Sequence, residues 1–220
     1  MSSVRRFVIA SSIARLITRE RHDVRIVEGH FPASHERRSH VLFEGRTCHL
    51  VLVTKPDTEW EEEERTEVPA KQGEFLMEVC AGSLAYHRSS IEVDGRPVRI
   101  ESFRLPEGLH LIEVQFDEPD QVYDFDPPIW FGPEVTGDAG YERNAIATKG
   151  LPDQPKIAVS DDAINALLDY LDEPKGQQGS IQQEVARGMV EPFPRRSQGE
   201  PFAVVLQRCE QLSAATWDAR

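Results

Sequence analysis

Strand periodicity sets Glu113 and Gln115 on one face of the segment LHLIEVQF, residues 109–116. Glu63 and Glu67 share a face of EEEERTE, with Arg65 between them on the same side. Carboxylates and guanidiniums placed on alternate strand positions serve either a ligand site or a buried ion-pair network. Arg6 offers a cation on the first strand, and Arg5 beside it shows that basic residues suit both faces there. His40, His49 and His87 have no helical HxxxH spacing and no nearby cysteine pair, which argues against zinc. Cys48 and His49 are adjacent on a strand, so they point to opposite faces and make no nucleophile–base pair. Arg195-Arg196 reads as solvent-exposed.

The elements that would carry these residues are short. Residues 4–10 alternate as a first strand, and Ser11-Ser12 leads into a helix over 13–20. Strands follow at 24–31, 38–43 and 48–55, the last two forming a hairpin around Glu44-Gly45-Arg46. Residues 61–68 are strand by position rather than by propensity. Pro69 starts a helix running to Val79, with Gly82 as its expected cap. Strands at 85–93 and 97–105 flank Asp94-Gly95, a hairpin signal, and 109–116 completes eight. Eight short, mostly antiparallel strands predict a closed barrel, which leaves no sheet edge exposed. After Gly150, Pro152 and Pro155 make a linker, and Ser160 caps a helix from Asp161 with Ile164, Leu167, Leu168 and Leu171 on one face. Further helices are expected at 181–190 and 202–217.

The net charge of −13 is unevenly spread: residues 1–55 are net basic, and 56–150 are strongly acidic. Such a surface excludes general affinity for nucleic acid. Cys48, Cys80 and Cys209 lack paired spacing and read as reduced thiols. No apolar run is long enough for a membrane helix, so a cytoplasmic location is expected.

The order LxxxEVQF, then PPxWxGxEVTGDxxYxxNxI over 109–146, resembles the last third of the CYTH superfamily, the triphosphate tunnel metalloenzymes. These include inorganic and thiamine triphosphatases and class IV adenylyl cyclases. The resemblance implies a mainly β (α+β) fold: an eight-stranded antiparallel tunnel barrel with peripheral helices and a helical C-terminal extension. It implies a CYTH-like barrel over 1–150 and an extension over 151–220. It also implies inward-facing arginines and lysines for phosphate, and glutamates for Mg²⁺ or Mn²⁺.

Carried over residue by residue, that pattern is damaged. The two first-strand glutamates fall at Ser2 and Val4, and only the basic position survives, as Arg6. The middle-strand arginine pair falls at His40 and Leu42. The next strand's lysine falls at Val53, with Lys55 one step along the same face. Arg88 matches a family arginine, and Glu63, Glu67, Glu101 and Glu113 keep acidic positions. Arg99 replaces a glutamate, and Gln115 neutralises the second carboxylate of an ExE pair. Loss of charged oxygen ligands weakens metal binding, and His or Leu cannot replace a bidentate guanidinium.

The expectation is therefore a CYTH-like protein with a degenerate site, a non-catalytic or altered binder of an anionic or phosphorylated small molecule. Its phosphate contacts would be Arg6, Lys55 and Arg88. The rival is a divergent metal-dependent triphosphatase or adenylyl cyclase using Glu63, Glu67, Glu101 and Glu113 with Mg²⁺ or Mn²⁺. A third reading is an interaction protein acting through the C-terminal helices. No cofactor is fixed, neither nucleic acid nor membrane is an expected partner, and a homodimer stays open.

Overall fold

The computed structural model describes residues 3–32, 37–54, 62–116, 118 and 121–172. The expected strands are all present: β1 (Ser3–Val8), β2 (Asp23–His30), β3 (Arg37–Glu44), β4 (Thr47–Thr54), β5 (Glu62–Glu67), β6 (Gly82–Val93), β7 (Arg96–Leu105) and β8 (Glu107–Phe116). Helices α1 (Ser11–Glu20), α2 (Ala70–Glu78) and α5 (Asp161–Asp172) occur where capping and periodicity placed them. Asp94 and Gly95 turn the β6–β7 hairpin with φ of 50° and 72°, the left-handed pair that a two-residue turn demands. Ser160 caps α5, its hydroxyl accepting the Ala163 N–H at 3.1 Å. Gly82 does not cap α2 but opens β6. Two short helices were not read from the sequence: α3 (Gln121–Asp124) and α4 (Arg143–Lys149). Among the described residues, no helix is long and apolar enough to cross a membrane.

The closed barrel expected from strand count and family resemblance does not form. The strands lie in the order β1-β8-β7-β6-β2-β3-β4-β5, so β1 and β5 are the two ends of an open sheet. Each end has a physical reason for staying unpaired with the other. The outer edge of β1 is already used by residues 132–136. Val8 N–H donates to Pro133 O at 3.0 Å, Gly132 N–H to Val8 O at 3.0 Å, and Val135 N–H to Arg6 O at 2.8 Å. This segment is the PPIWFGPEVTG stretch, which works as a strap over the edge. At the other end, β5 reads EEERTE, and Glu63 and Arg65 are 44% and 52% exposed. Charge on an edge strand discourages further pairing. The charged residues therefore lie on the face of a sheet and not inside a tunnel.

The described residues divide into two compact units, one formed by the chain before Val27 and after Ser83, the other by Val27–Ser83. In the first, Phe7, Ile91, Val98, Ile100, Ile112, Val114 and Phe116 on the strands meet Ile13, Ala14 and Ile17 of α1 and Ala163 and Leu167 of α5. Trp130 and Phe131 of the strap join them; the Phe131 and Phe7 ring centroids are 5.1 Å apart, edge to face. Gly132 is required where strap meets strand, because a Cβ there would lie 2.5 Å from Val8 O. In the second unit, α2 packs on β3 and β4. A Cβ on Gly73 would meet Cys48 Sγ at 2.3 Å, so the helix approaches β4 through a glycine. The expected helices at 181–190 and 202–217 lie outside the described residues.

Candidate functional site

The face of β6, β7 and β8 opposite the α1 core carries a cluster of arginines around two buried glutamates. Cross-strand register builds it. Arg88 of β6 lies opposite Glu101 of β7, Arg99 of β7 opposite Glu113 of β8, and Glu113 opposite Arg6 of β1. Direct neighbours in an antiparallel pair point to the same side, so four strands deliver their charges to one place.

Glu113 is 7% exposed and Glu101 1% exposed. Glu101 accepts from Arg88 Nη2 at 2.9 Å and Nε at 3.1 Å, and from Arg143 Nη2 at 2.6 Å. Glu113 accepts from Arg6 Nε at 3.3 Å, Arg99 Nη1 at 3.4 Å and Arg143 Nη2 at 3.3 Å. The Tyr86 hydroxyl accepts from Arg88 Nη2 at 3.1 Å and also from Arg143 Nη1. Arg6 reaches outward to Glu142 at 3.1 Å. Burial would push the Glu113 carboxyl up, but Arg143, Arg6, Arg88 and Arg99 together hold it down at about 2. Burial works against the charge on Arg88 too, but Glu101, Tyr86 and Glu113 together outweigh it, so its pKa is raised. Glu113 is therefore ionised at neutral pH, and four guanidiniums stand around the two enclosed glutamates.

Of the residues expected from sequence, Arg6, Arg88, Glu101 and Glu113 come together here. Arg99, which stands where a family glutamate was expected, joins them as a cation. Val4 is registered opposite Gln115, so two expected carboxylate positions meet as a valine and an amide. Glu63 and Glu67 belong to β5 in the second unit, where Glu63 accepts from Arg65 at 2.5 Å at the surface. His40, at an expected arginine position, stacks on His30 with ring centroids 5.0 Å apart, and His30 lies 2.9 Å from buried Glu28. Lys55 lies outside the described residues. Cys48 is buried, and burial pushes its thiol up to about 11, as it does for Cys80.

Divalent metal is the group that the fold resemblance implies, and these side chains do not fit it as arranged. The oxygens of Glu101 and Glu113 face guanidiniums, and among the described residues no three His, Cys, Asp or Glu converge as metal ligands. The residues missed in the sequence are Arg143, Tyr86 and Glu142. Tyr86 was within reach, being two positions before Arg88 on the same strand face. Arg143 was hidden, because it enters from the first turn of α4 and not from a strand. The motif around it holds that turn in place. Asp138 accepts the Gly140 N–H at 2.8 Å, and buried Tyr141 donates its hydroxyl to Asp153 O at 3.2 Å.

No protein-family model matches the chain, and no curated protein matches it in sequence. Solved structures do. The inorganic triphosphatase NE1496 is 24% identical with a TM-score of 0.53, over 67% of this chain and 95% of that one. A structure described as the hypothetical protein NE1496 is 25% identical with a TM-score of 0.52, over 67% and 98%. A conserved hypothetical protein from Pyrococcus furiosus, at 9% identity and a TM-score of 0.44 over 56% and 85%, is too distant to carry an argument. These likenesses give the fold: the chain is similar to CYTH, triphosphate-tunnel-like folds, and to no particular member of them.

Proposed function

We propose that this chain binds an anionic, phosphorylated small molecule at the arginine cluster, without metal-dependent catalysis. The observation that carries the reading is the charge imbalance: Arg6, Arg88, Arg99 and Arg143 stand against the buried Glu101 and Glu113 and, on the outer side of Arg6, Glu142. Buried carboxylates fix the guanidiniums in place, and the surplus positive charge favours an anion. Arg99 is the residue best placed to meet it, being 37% exposed and held by one contact of 3.4 Å. Arg6, 23% exposed, lies beside it on the other flank of Glu113. Planar guanidiniums suit phosphate oxygens better than any other side chain. In this proposal residues 151–220 are an appendage to the CYTH-like part.

The rival, a metal-dependent triphosphatase, needs oxygen ligands that the arginines now occupy. A divalent cation placed between Glu101 and Glu113 would sit among four like charges. The test is turnover of tripolyphosphate, thiamine triphosphate and ATP with Mg²⁺ or Mn²⁺. The expected result is no metal-dependent product above the buffer rate. Turnover that disappears in a folded Glu113→Gln variant would overturn the proposal.

A further inference from the structure

One carboxylate of the arginine cluster differs from the other two, and Arg6 shows how. The backbone of Arg6 is fixed to the strap: its N–H donates to Thr136 Oγ1 at 2.9 Å, and its carbonyl accepts the Val135 N–H at 2.8 Å. Its guanidinium then spans two acids. Nε donates to Glu113 Oε2 at 3.3 Å and Nη1 to Glu142 Oε1 at 3.1 Å. The Glu113 side chain is 9% exposed, whereas that of Glu142 is 36% exposed. That difference decides which contact is permanent. Breaking a buried pair strands a charge away from water, while an exposed pair is held by little more than water offers in exchange.

The place of Glu142 in the chain points the same way. It stands at the amino end of α4 with extended backbone, φ −68° and ψ 135°, and its carbonyl accepts the Ile146 N–H at 2.9 Å. This is the N-cap position, where a polar side chain ordinarily turns back onto the first amides of its own helix. The Glu142 side chain makes no capping bond and reaches across to β1 instead. Its neighbour Arg143 enters the same cluster, donating from Nη2 to Glu101 at 2.6 Å and to Glu113 at 3.3 Å. Consecutive residues therefore bring a cation to the buried carboxylates and a carboxylate to the outer cation. Arg143 belongs to the enclosed frame, and Glu142 to its rim.

We propose that Glu142 is a built-in competitor for the ligand: its carboxylate holds the Arg6 donor that a phosphate takes over, so that binding exchanges one anion for another. This inference rests on the anion-binding reading of the cluster and sharpens the class of ligand. A carboxylate ligand brings Arg6 the same group that it must displace, and gains nothing by the exchange. A phosphate monoester carries nearly two charges and three acceptor oxygens. It has oxygens for both Arg6 and Arg99, which meet opposite oxygens of Glu113, Oε2 and Oε1. The displaced carboxylate is not stranded, because it stays in water beside the amino end of α4, where negative charge is favoured.

The probe is tripolyphosphate in EDTA, titrated calorimetrically into the full chain, with citrate as the carboxylate comparison. Wild type is expected to bind tripolyphosphate more tightly than citrate. Glu142→Gln keeps the size of the side chain and removes its charge, and should tighten tripolyphosphate binding about fivefold. Glu142→Asp separates contact from charge. It keeps the negative charge, shortens the arm by a methylene and caps α4 better, so the carboxylate leaves Arg6 and affinity should again rise, by about twofold or more. Wild-type binding that Glu142→Gln leaves equal or weaker overturns this proposal alone. So does a gain in Glu142→Gln that Glu142→Asp does not share, because net charge would then account for it. Citrate binding as tight as tripolyphosphate overturns the assigned class. No binding by wild type or either variant overturns the anion-binding reading itself, and this inference with it.

Discussion

Glu113 shows most sharply what a single residue does in this protein. Its ordinary carboxyl value of 4.5 is lowered to about 2 in the fold. A depressed acid contributes stability above its unfolded value, and loses it as pH falls toward its folded value. Wild type should therefore exceed Glu113→Gln by about 3 kcal/mol near pH 7. The gap should narrow as pH drops from about 4.5 toward 2. Denaturant unfolding across that range checks it, and a gap that stays constant would contradict the assigned ionisation. Much of this cluster was legible in sequence: alternation and the family resemblance singled out Arg6, Arg88, Glu101 and Glu113. What they could not supply was the charge balance. Arg99 was counted only as a lost glutamate, and Arg143 arrives from a helix that strand periodicity does not see.

At the scale of elements, the strap over β1 decides the architecture. Residues 132–136 take the edge hydrogen bonds that barrel closure would have needed. Gly132→Ala places a methyl against Val8 O, which must push the strap outward. It should cost about 1–3 kcal/mol and speed hydrogen exchange at the Val8 and Val135 amides. Unchanged stability and exchange would show that the strap is not what covers this edge. The strands themselves were readable, because alternation and the Asp94-Gly95 and Gly45 turns are local signals. Closure was not readable, because counting strands says nothing about which segment occupies an edge. The PPIWFGPEVTG stretch contains no strand pattern, yet it contributes both edge pairing and the aromatic contacts of Trp130 and Phe131 to the core.

For the molecule as a whole, fold and function separate. The chain is similar in fold to the inorganic triphosphatase NE1496 at 24% identity, while its carboxylates have been drawn into an arginine cluster. Positions where the family resemblance implies metal-binding carboxylates read Val4, Arg99 and Gln115, and the arginine cluster lies on an open sheet face. The central claim is that this face binds a phosphorylated anion on its own charge. Calorimetric titration with tripolyphosphate in EDTA tests it most directly. Saturable binding is predicted without any metal, weakened about tenfold or more in Arg99→Gln. Binding that appears only when Mg²⁺ replaces the EDTA would contradict the account.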